Sequence, residues 1–242
     1  MTPTPVGMRC PECSKQRTKV KTAQTMYAQP MATYVLMWIS IAVAIGVALD
    51  GVGLSRDIFQ SEIARQGALY GPLVADGELW RIVTVGFLHA GPIHLLFNMY
   101  SLYILGTMIE PTIGRLRFVL IYFVALLGGS LGVLLVDPNQ PTVGASGAVF
   151  GLMGAAIVLM RSRGIDPMAS GLPIWLGLNL VLTFAFPNYL SVGGHVGGLI
   201  GGALAALVLF EVPQRVKLPQ VGANLLAVAL GVAAIAASIA VV

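Results

Sequence analysis

Charge is scarce in this chain. Asp, Glu, Lys and Arg together make up 10% of its 242 residues, where soluble domains carry about 25%. Hydrophobic residues make up 57%, and the long uncharged stretches they form exclude an ordinary soluble fold and define an all-α polytopic membrane protein. Cysteine is nearly absent. Its two copies, Cys10 and Cys13, lie in CPEC, the spacing of half a zinc site. A structural zinc site takes four ligands, and the only histidines, His89, His94 and His195, fall in or beside apolar runs. Two reduced thiols, or a site shared between chains, are the simpler readings. Internal repeats and low-complexity tracts are also lacking, so the apolar runs form one domain.

Runs of about 17 to 25 apolar residues suit a hydrocarbon core about 30 Å thick. They occur at 32–49, about 92–109, 118–136, 146–160, 171–186, 191–210 and 221–241, seven helices of which the fourth and fifth are short. The first follows residues 1–30, a polar tail too long for the start of a signal peptide, and reads as a true span with no cleavage. The tail is expected to be mobile. Residues 31–242 then form the membrane domain, with an external loop over 50–84 that mixes apolar and charged residues and predicts short helices in the interface, anchored by Trp80 and Arg81.

Basic residues orient the spans. Arg9, Lys15, Arg17, Lys19, Lys21, Arg115, Arg117, Arg161, Arg163, Arg215 and Lys217 fall on one side, against Arg56, Arg65 and Arg81 on the other. Cytoplasmic loops carry the positive excess, so the N-terminus is expected in the cytoplasm and the C-terminus outside, in the plasma membrane of a bacterial cell. The net charge of +4 fits this topology and attraction to anionic lipid, and calls for no nucleic acid.

Polar residues inside the spans share a depth. Ser146 lies 14 steps above Met160, roughly 21 Å at helical rise. His195 above Phe210, and His94 above Ile109, are each 15 steps up, about 22 Å. Asn98 falls on the face of His94, one turn deeper. Polar groups at membrane depth are costly unless they face a bundle interior or a wet cavity, so this layer predicts a hydrated pocket open to the outside.

Small residues bring two of these helices together. Gly194, Gly198 and Gly202 flank His195, and Gly147, Gly151 and Ala155 flank Ser146. Such stripes by themselves mean packing. Here packing them also brings the serine and the histidine within reach, and histidine, with an ordinary pKa near ~6.5, suits the removal of a serine proton. No Asp or Glu lies within the fourth or sixth span, the nearest being Asp137 in the loop before Ser146. A Ser146–His195 dyad is therefore expected rather than a triad. The Ser146 amide at a helix start, with side-chain donors from His94 and Asn98, would receive the oxyanion.

WR at Trp80 and Arg81, HLLFN from His94 to Asn98, GASG from Gly144 to Gly147 and GGHVGG from Gly193 to Gly198 together resemble the signature motifs of rhomboid intramembrane serine proteases. The resemblance runs from about residue 31 to 210. It implies a six-helix bundle with an added seventh C-terminal span, Ser146 as nucleophile, His195 as general base and then acid, and His94, Asn98 and the Ser146 amide around the oxyanion. It also implies no cofactor or metal, and as partners the lipid bilayer and single-span membrane proteins cut within or near the outer end of their helix. Where many members carry a tyrosine four residues after the nucleophile, this chain has Phe150, a ring that can still stack on the histidine. The tail with Cys10 and Cys13 resembles the end of a cysteine-rich cytoplasmic module of some actinobacterial relatives. His89, five residues before His94, is assigned a structural role, holding the external loop by a hydrogen bond. The alternatives are a catalytically silent rhomboid-like protein that binds membrane clients, and a small transporter using the same polar layer, against which stands the lack of an inverted repeat.

Overall fold

The computed structural model describes residues 2–4, 7–9, 29–55 and 57–242. The expectations for Cys10, Cys13, Lys15, Arg17, Lys19, Lys21 and Arg56 lie outside them. Two short strands of the tail, β1 (Thr2–Thr4) and β2 (Gly7–Arg9), pair antiparallel, Thr2 opposite Arg9. The remaining described regular structure is helical.

All seven apolar runs are helices, with boundaries close to those the hydropathy pattern predicts. Spans α1 (Met31–Val47, continuing through a wide turn to Val52), α5 (Pro92–Ile113) and α6 (Arg115–Val136) are long and apolar enough to cross a membrane. So are α9 (Val192–Ala206, continuing to Val216) and α10 (Gln220–Ala240). Between them α7 (Ser146–Ser162) and α8 (Leu172–Ala185) have only 17 and 14 residues, about 25 and 21 Å of helix. Three short helices, α2 (Glu62–Gly67), α3 (Gly71–Ala75) and α4 (Arg81–Thr84), form the loop that the charge pattern leads one to expect outside.

Large apolar side chains cover the outside of the bundle: Trp38, Leu96, Phe97, Val181, Phe184 and Val221 are each at least 60% exposed. Water would not tolerate so continuous a surface, whereas lipid matches it. The centre is filled by α6, whose Phe118, Tyr122 and Ile121 are fully enclosed and meet Leu102, Leu105, Leu152 and Met153 from the neighbouring spans. The chain is thus a multi-pass membrane protein.

A helix start leaves backbone N–H groups without partners, a serious cost within a bilayer. For α1 the missing acceptor comes from another helix. Glu110 on α5, 1% exposed, accepts from the Ala32 and Thr33 amides at 2.9 and 2.8 Å and from Thr33 Oγ1 at 2.7 Å. Its charge also suits the positive end of the helix dipole. One turn earlier Gly106 admits the close approach, since any Cβ there would run into the Thr33 side chain.

Truncating this carboxylate strands three donors at once. Glu110→Ala is expected to lower stability by about 2 to 4 kcal/mol, with Glu110→Gln, which keeps one acceptor oxygen, losing less. Thermal unfolding of the two variants in detergent micelles measures the difference, and equal melting temperatures for Glu110→Ala and wild type would refute the tie.

Candidate active site

The external loop frames the site, and it is built by side chains closing helix ends. The last carbonyls of a helix are as unsatisfied as its first amides. At the end of α2, Arg81 Nη1 donates to the Arg65 and Ala68 carbonyls at 2.6 and 2.8 Å, Trp80 Nε1 to that of Gln66 at 2.9 Å, and Thr84 Oγ1 to that of Gly67 at 2.7 Å. Glu78 balances the guanidinium at 2.7 Å from Nε. At the other end, Asp50 and Ser61 cap the start of α2, Asp50 accepting from the Glu62 amide at 2.7 Å. This corrects the expectation for Arg81. It is 3% exposed and faces inward, because two backbone carbonyls and the Glu78 carboxylate take its forked donors more effectively than lipid headgroups do. Trp80 remains half-exposed beside it.

The frame passes to the segment before α7. Leu69 and Thr142 exchange backbone hydrogen bonds of 3.0 and 2.9 Å, the Gly71 amide donates to Pro138 at 2.8 Å, and the Gly144 amide donates to Val85 at 2.9 Å. Ser130 Oγ on α6 donates to the Ile82 carbonyl at 2.8 Å. These bonds fix where α7 begins, and Ser146 is its first residue.

From there the glycines set the distance. A Cβ on Gly151 would lie 2.7 Å from the Gly198 carbonyl oxygen, and one on Gly147 would lie 3.1 Å from that of Gly194. Substituents on Gly198 and Gly202 would collide outright with the backbone of Gly147 and Gly151. Backbone therefore touches backbone along the α7–α9 seam, as the stripes predict. A second seam was not foreseen: Gly128 and Gly132 of α6 press on Gly197 and Gly193, on another face of α9. Helix α9 is held from two sides.

Held in this way, His195 Nε2 lies 2.8 Å from Ser146 Oγ. The imidazole is 5% exposed and stacks on Phe150, ring centroids 4.1 Å apart and planes 13° from parallel. Ser146 is half-buried. His94 lies against the turn before it: a Cβ on Gly144 would come within 2.9 Å of His94 Nε2, and Gly144 has φ +133°, a second reason why only glycine suits this position. The Ala90 amide donates to His94 Nδ1 at 3.2 Å. That nitrogen is an acceptor, so the proton of a neutral ring is on Nε2, facing the site. Asn98, 6% exposed, spends one amide hydrogen on the His94 carbonyl at 3.0 Å. The three polar helices do meet at one level.

Two further residues differ from expectation. His89 was assigned a hydrogen bond to the external loop, yet it is 4% exposed, makes no hydrogen bond of normal geometry at either ring nitrogen among the described residues, and packs edge-on against His94 with centroids 5.3 Å apart. Its position just before α5 turns it toward the bundle rather than toward the loop. Thr183 on α8 was overlooked: its Oγ1 lies 2.7 Å from His195 Nδ1, where a triad would place a carboxylate. Sequence proximity was a partial signal only, since α8 and α9 are joined by a short turn and Thr183 lies two residues before the end of one and His195 three residues into the other. Asp137 caps the end of α6 instead.

A serine and a histidine in contact near one end of a multi-pass helical bundle, with histidine and amide donors beside them, define a polar site within the membrane helices. The rhomboid domain model matches residues 76–212, more than half of the sequence, and the chain belongs to the rhomboid family. The matched region contains the whole site. It ends before α10. Among relatives, the rhomboid protease GluP of Bacillus subtilis (strain 168) is 33% identical over 212 residues, 86% of this chain and 40% of GluP. The putative rhomboid protease YdcA of the same organism is 36% identical over 145 residues, 59% of this chain and 73% of YdcA. Rhomboid-like protease 3 of Toxoplasma gondii is 29% identical over 192 residues, 76% of this chain and 72% of that protein. The chain thus spans less than half of GluP and about three quarters of YdcA.

The seam offers a direct check of this construction. Gly198→Ala places a methyl group against the Gly147 backbone, and overpacking of this kind costs about 1 to 3 kcal/mol. Loss of melting temperature should be accompanied by a longer Ser146–His195 distance, measurable by double electron–electron resonance between labels at the ends of α7 and α9. An unchanged separation would show that the seam does not set the contact.

Proposed function

We propose that this chain is an intramembrane serine endopeptidase that works by a Ser146–His195 dyad on single-span membrane proteins. One observation carries the reading: the 2.8 Å contact between Ser146 Oγ and His195 Nε2, made at a half-open position beside two side-chain donors. Seven crossings are part of the proposal, with the N-terminus cytoplasmic and the C-terminus outside. The basic residues after α5, α7 and α9 support that orientation, and so does the Arg163 bond to the Thr112 carbonyl at 3.1 Å, which brings two of those ends together.

In the forward step Ser146 Oγ attacks the scissile carbonyl carbon. Its proton moves to His195 Nε2, the new C–O bond forms, and the carbonyl π electrons become the oxyanion. His94 Nε2–H, the second Asn98 amide hydrogen and the Ser146 amide supply donors around that charge. On collapse the C–N bond breaks and the leaving amine takes the proton from Nε2. Water, activated by the same imidazole, then hydrolyses the acyl ester. An intact helix hides its carbonyls in its own hydrogen bonds, so segments with small or helix-breaking residues near the outer leaflet are the preferred substrates. Phe150 keeps the imidazole plane in place by stacking, without a hydroxyl.

A fluorophosphonate probe is expected to label the purified protein, and Ser146→Ala and His195→Ala to abolish labelling. A label that persists in Ser146→Ala refutes the reading. Absence of label in the folded wild type would favour the client-binding alternative. Replacing the donors separately, His94→Ala or Asn98→Ala is expected to slow cleavage of a single-span test substrate by about a hundred- to a thousandfold, with little change in KM. A change confined to KM would remove these two residues from the oxyanion site.

A further inference from the structure

The geometry points to Thr183 as the residue that sets the tautomer of the catalytic histidine, an inference that rests on the dyad proposed above. A hydroxyl has one proton to give and two lone pairs to accept with. Thr183 Oγ1 is 2.7 Å from the Asn179 carbonyl oxygen and 2.7 Å from His195 Nδ1. The carbonyl can only accept, so the Thr183 proton goes to Asn179. Its oxygen is left to accept from Nδ1–H. The opposite assignment, with Thr183 donating to Nδ1, would press two acceptor oxygens together at 2.7 Å with no proton between them.

With the proton of neutral imidazole on Nδ1, Nε2 has its lone pair free and aimed at the Ser146 hydroxyl at 2.8 Å. The chain of donation then runs in one direction, from Ser146 O–H to Nε2, from Nδ1–H to Thr183, and from Thr183 O–H to the Asn179 carbonyl. When Ser146 gives up its proton, Nδ1–H stays where it was and the Thr183 oxygen dipole faces the imidazolium. No second proton moves. Thr183 is fully buried, one of only three buried residues on α8, with Leu172 and Leu176. Among the described residues its bond to His195 is the one side-chain hydrogen bond from α8 to another span. Thr183 is a positioning residue, acting through His195 and touching no substrate.

The test uses the full chain in detergent micelles, with fluorophosphonate labelling rate, the KM and kcat of a single-span test substrate, and the 15N resonances of the His195 ring. Thr183→Val keeps the shape and removes the hydroxyl; Thr183→Ser keeps the hydroxyl. In wild type, Nδ1 is expected to resonate as a protonated nitrogen and Nε2 as a bare one. Thr183→Val should mix the two forms and lower labelling rate and kcat about tenfold, the ratio that one hydrogen bond of ordinary net strength sets, leaving KM unchanged. Thr183→Ser should restore both the rate and the spectrum. A Thr183→Val protein with wild-type rate and wild-type ring resonances overturns the inference, as does a Thr183→Ser protein as slow as Thr183→Val, which would make shape rather than the hydroxyl responsible. Either result with labelling still lost in Ser146→Ala and His195→Ala leaves the dyad standing, whereas labelling that survives those two variants removes the dyad itself.

Discussion

Contact between the backbones of α7 and α9 is the constraint from which the site follows. Side chains at the seam would hold two helices about 8 to 10 Å apart, and backbones that now touch could part only by shifting His195 from its 2.8 Å contact with Ser146. Glycine at 147, 151, 194, 198 and 202 removes that spacer, and the carbonyls of one helix rest directly on the α-carbons of the other. In a bilayer there is no hydrophobic force to press helices together, because lipid is as apolar as leucine. The close fit must therefore come from the fit itself, through dispersion between well-matched surfaces. Gly128 and Gly132 extend it to α6, so α9 is wedged between two partners and His195 has little freedom to swing away. Phe150, stacked on the ring, removes most of what remains.

A second constraint is the satisfaction of polar groups where water is scarce. The fold meets it repeatedly with side chains that reach across to close another helix: Glu110 for the start of α1, Asp50 and Ser61 for the start of α2, and Trp80, Arg81 and Thr84 for its end. Each but Ser61, which caps its own helix three residues on, is local in space and distant in sequence. The pattern explains why the few charges the chain has are not scattered. Arg81 and Glu110 are among the most buried polar residues of the molecule, and each meets backbone groups whose exposure to lipid would be more costly than the burial of the charge with its partners.

What was legible in the sequence was whatever depends on distance along one helix. Span positions follow from hydropathy. The common level of His94, Ser146 and His195 follows from counting residues, and the α7–α9 seam from glycine spacing, because rise per residue and periodicity are fixed. What was not legible depends on which groups on different elements compete for a donor. Arg81 beside Trp80 reads like an interfacial anchor until the free carbonyls at the end of α2 are seen to surround it. His89 reads like a loop contact because nothing in one dimension shows it turned against His94. Thr183 was hidden for a different reason: a threonine in a span usually bonds its own helix, as this one also does, and its second bond crosses to a helix that only the turn geometry brings near.

The two constraints meet at the segment of residues 137–145, which is irregular backbone at the depth where α7 starts. Such backbone survives in a membrane only where protein buries it or it lines a wet cavity. Here protein meets it on both sides. One side is tied to the external loop through Leu69, Gly71 and Val85, which satisfies it. The other side carries Gly144, which lies against the His94 imidazole beside the half-buried Ser146. The shortness of α7 is what creates this arrangement, since a helix of full span would carry regular hydrogen bonding up to the surface and place its unpaired amides there instead. A hydrolytic site inside a bilayer needs such an end, because only a helix terminus offers both free N–H groups and a path for water.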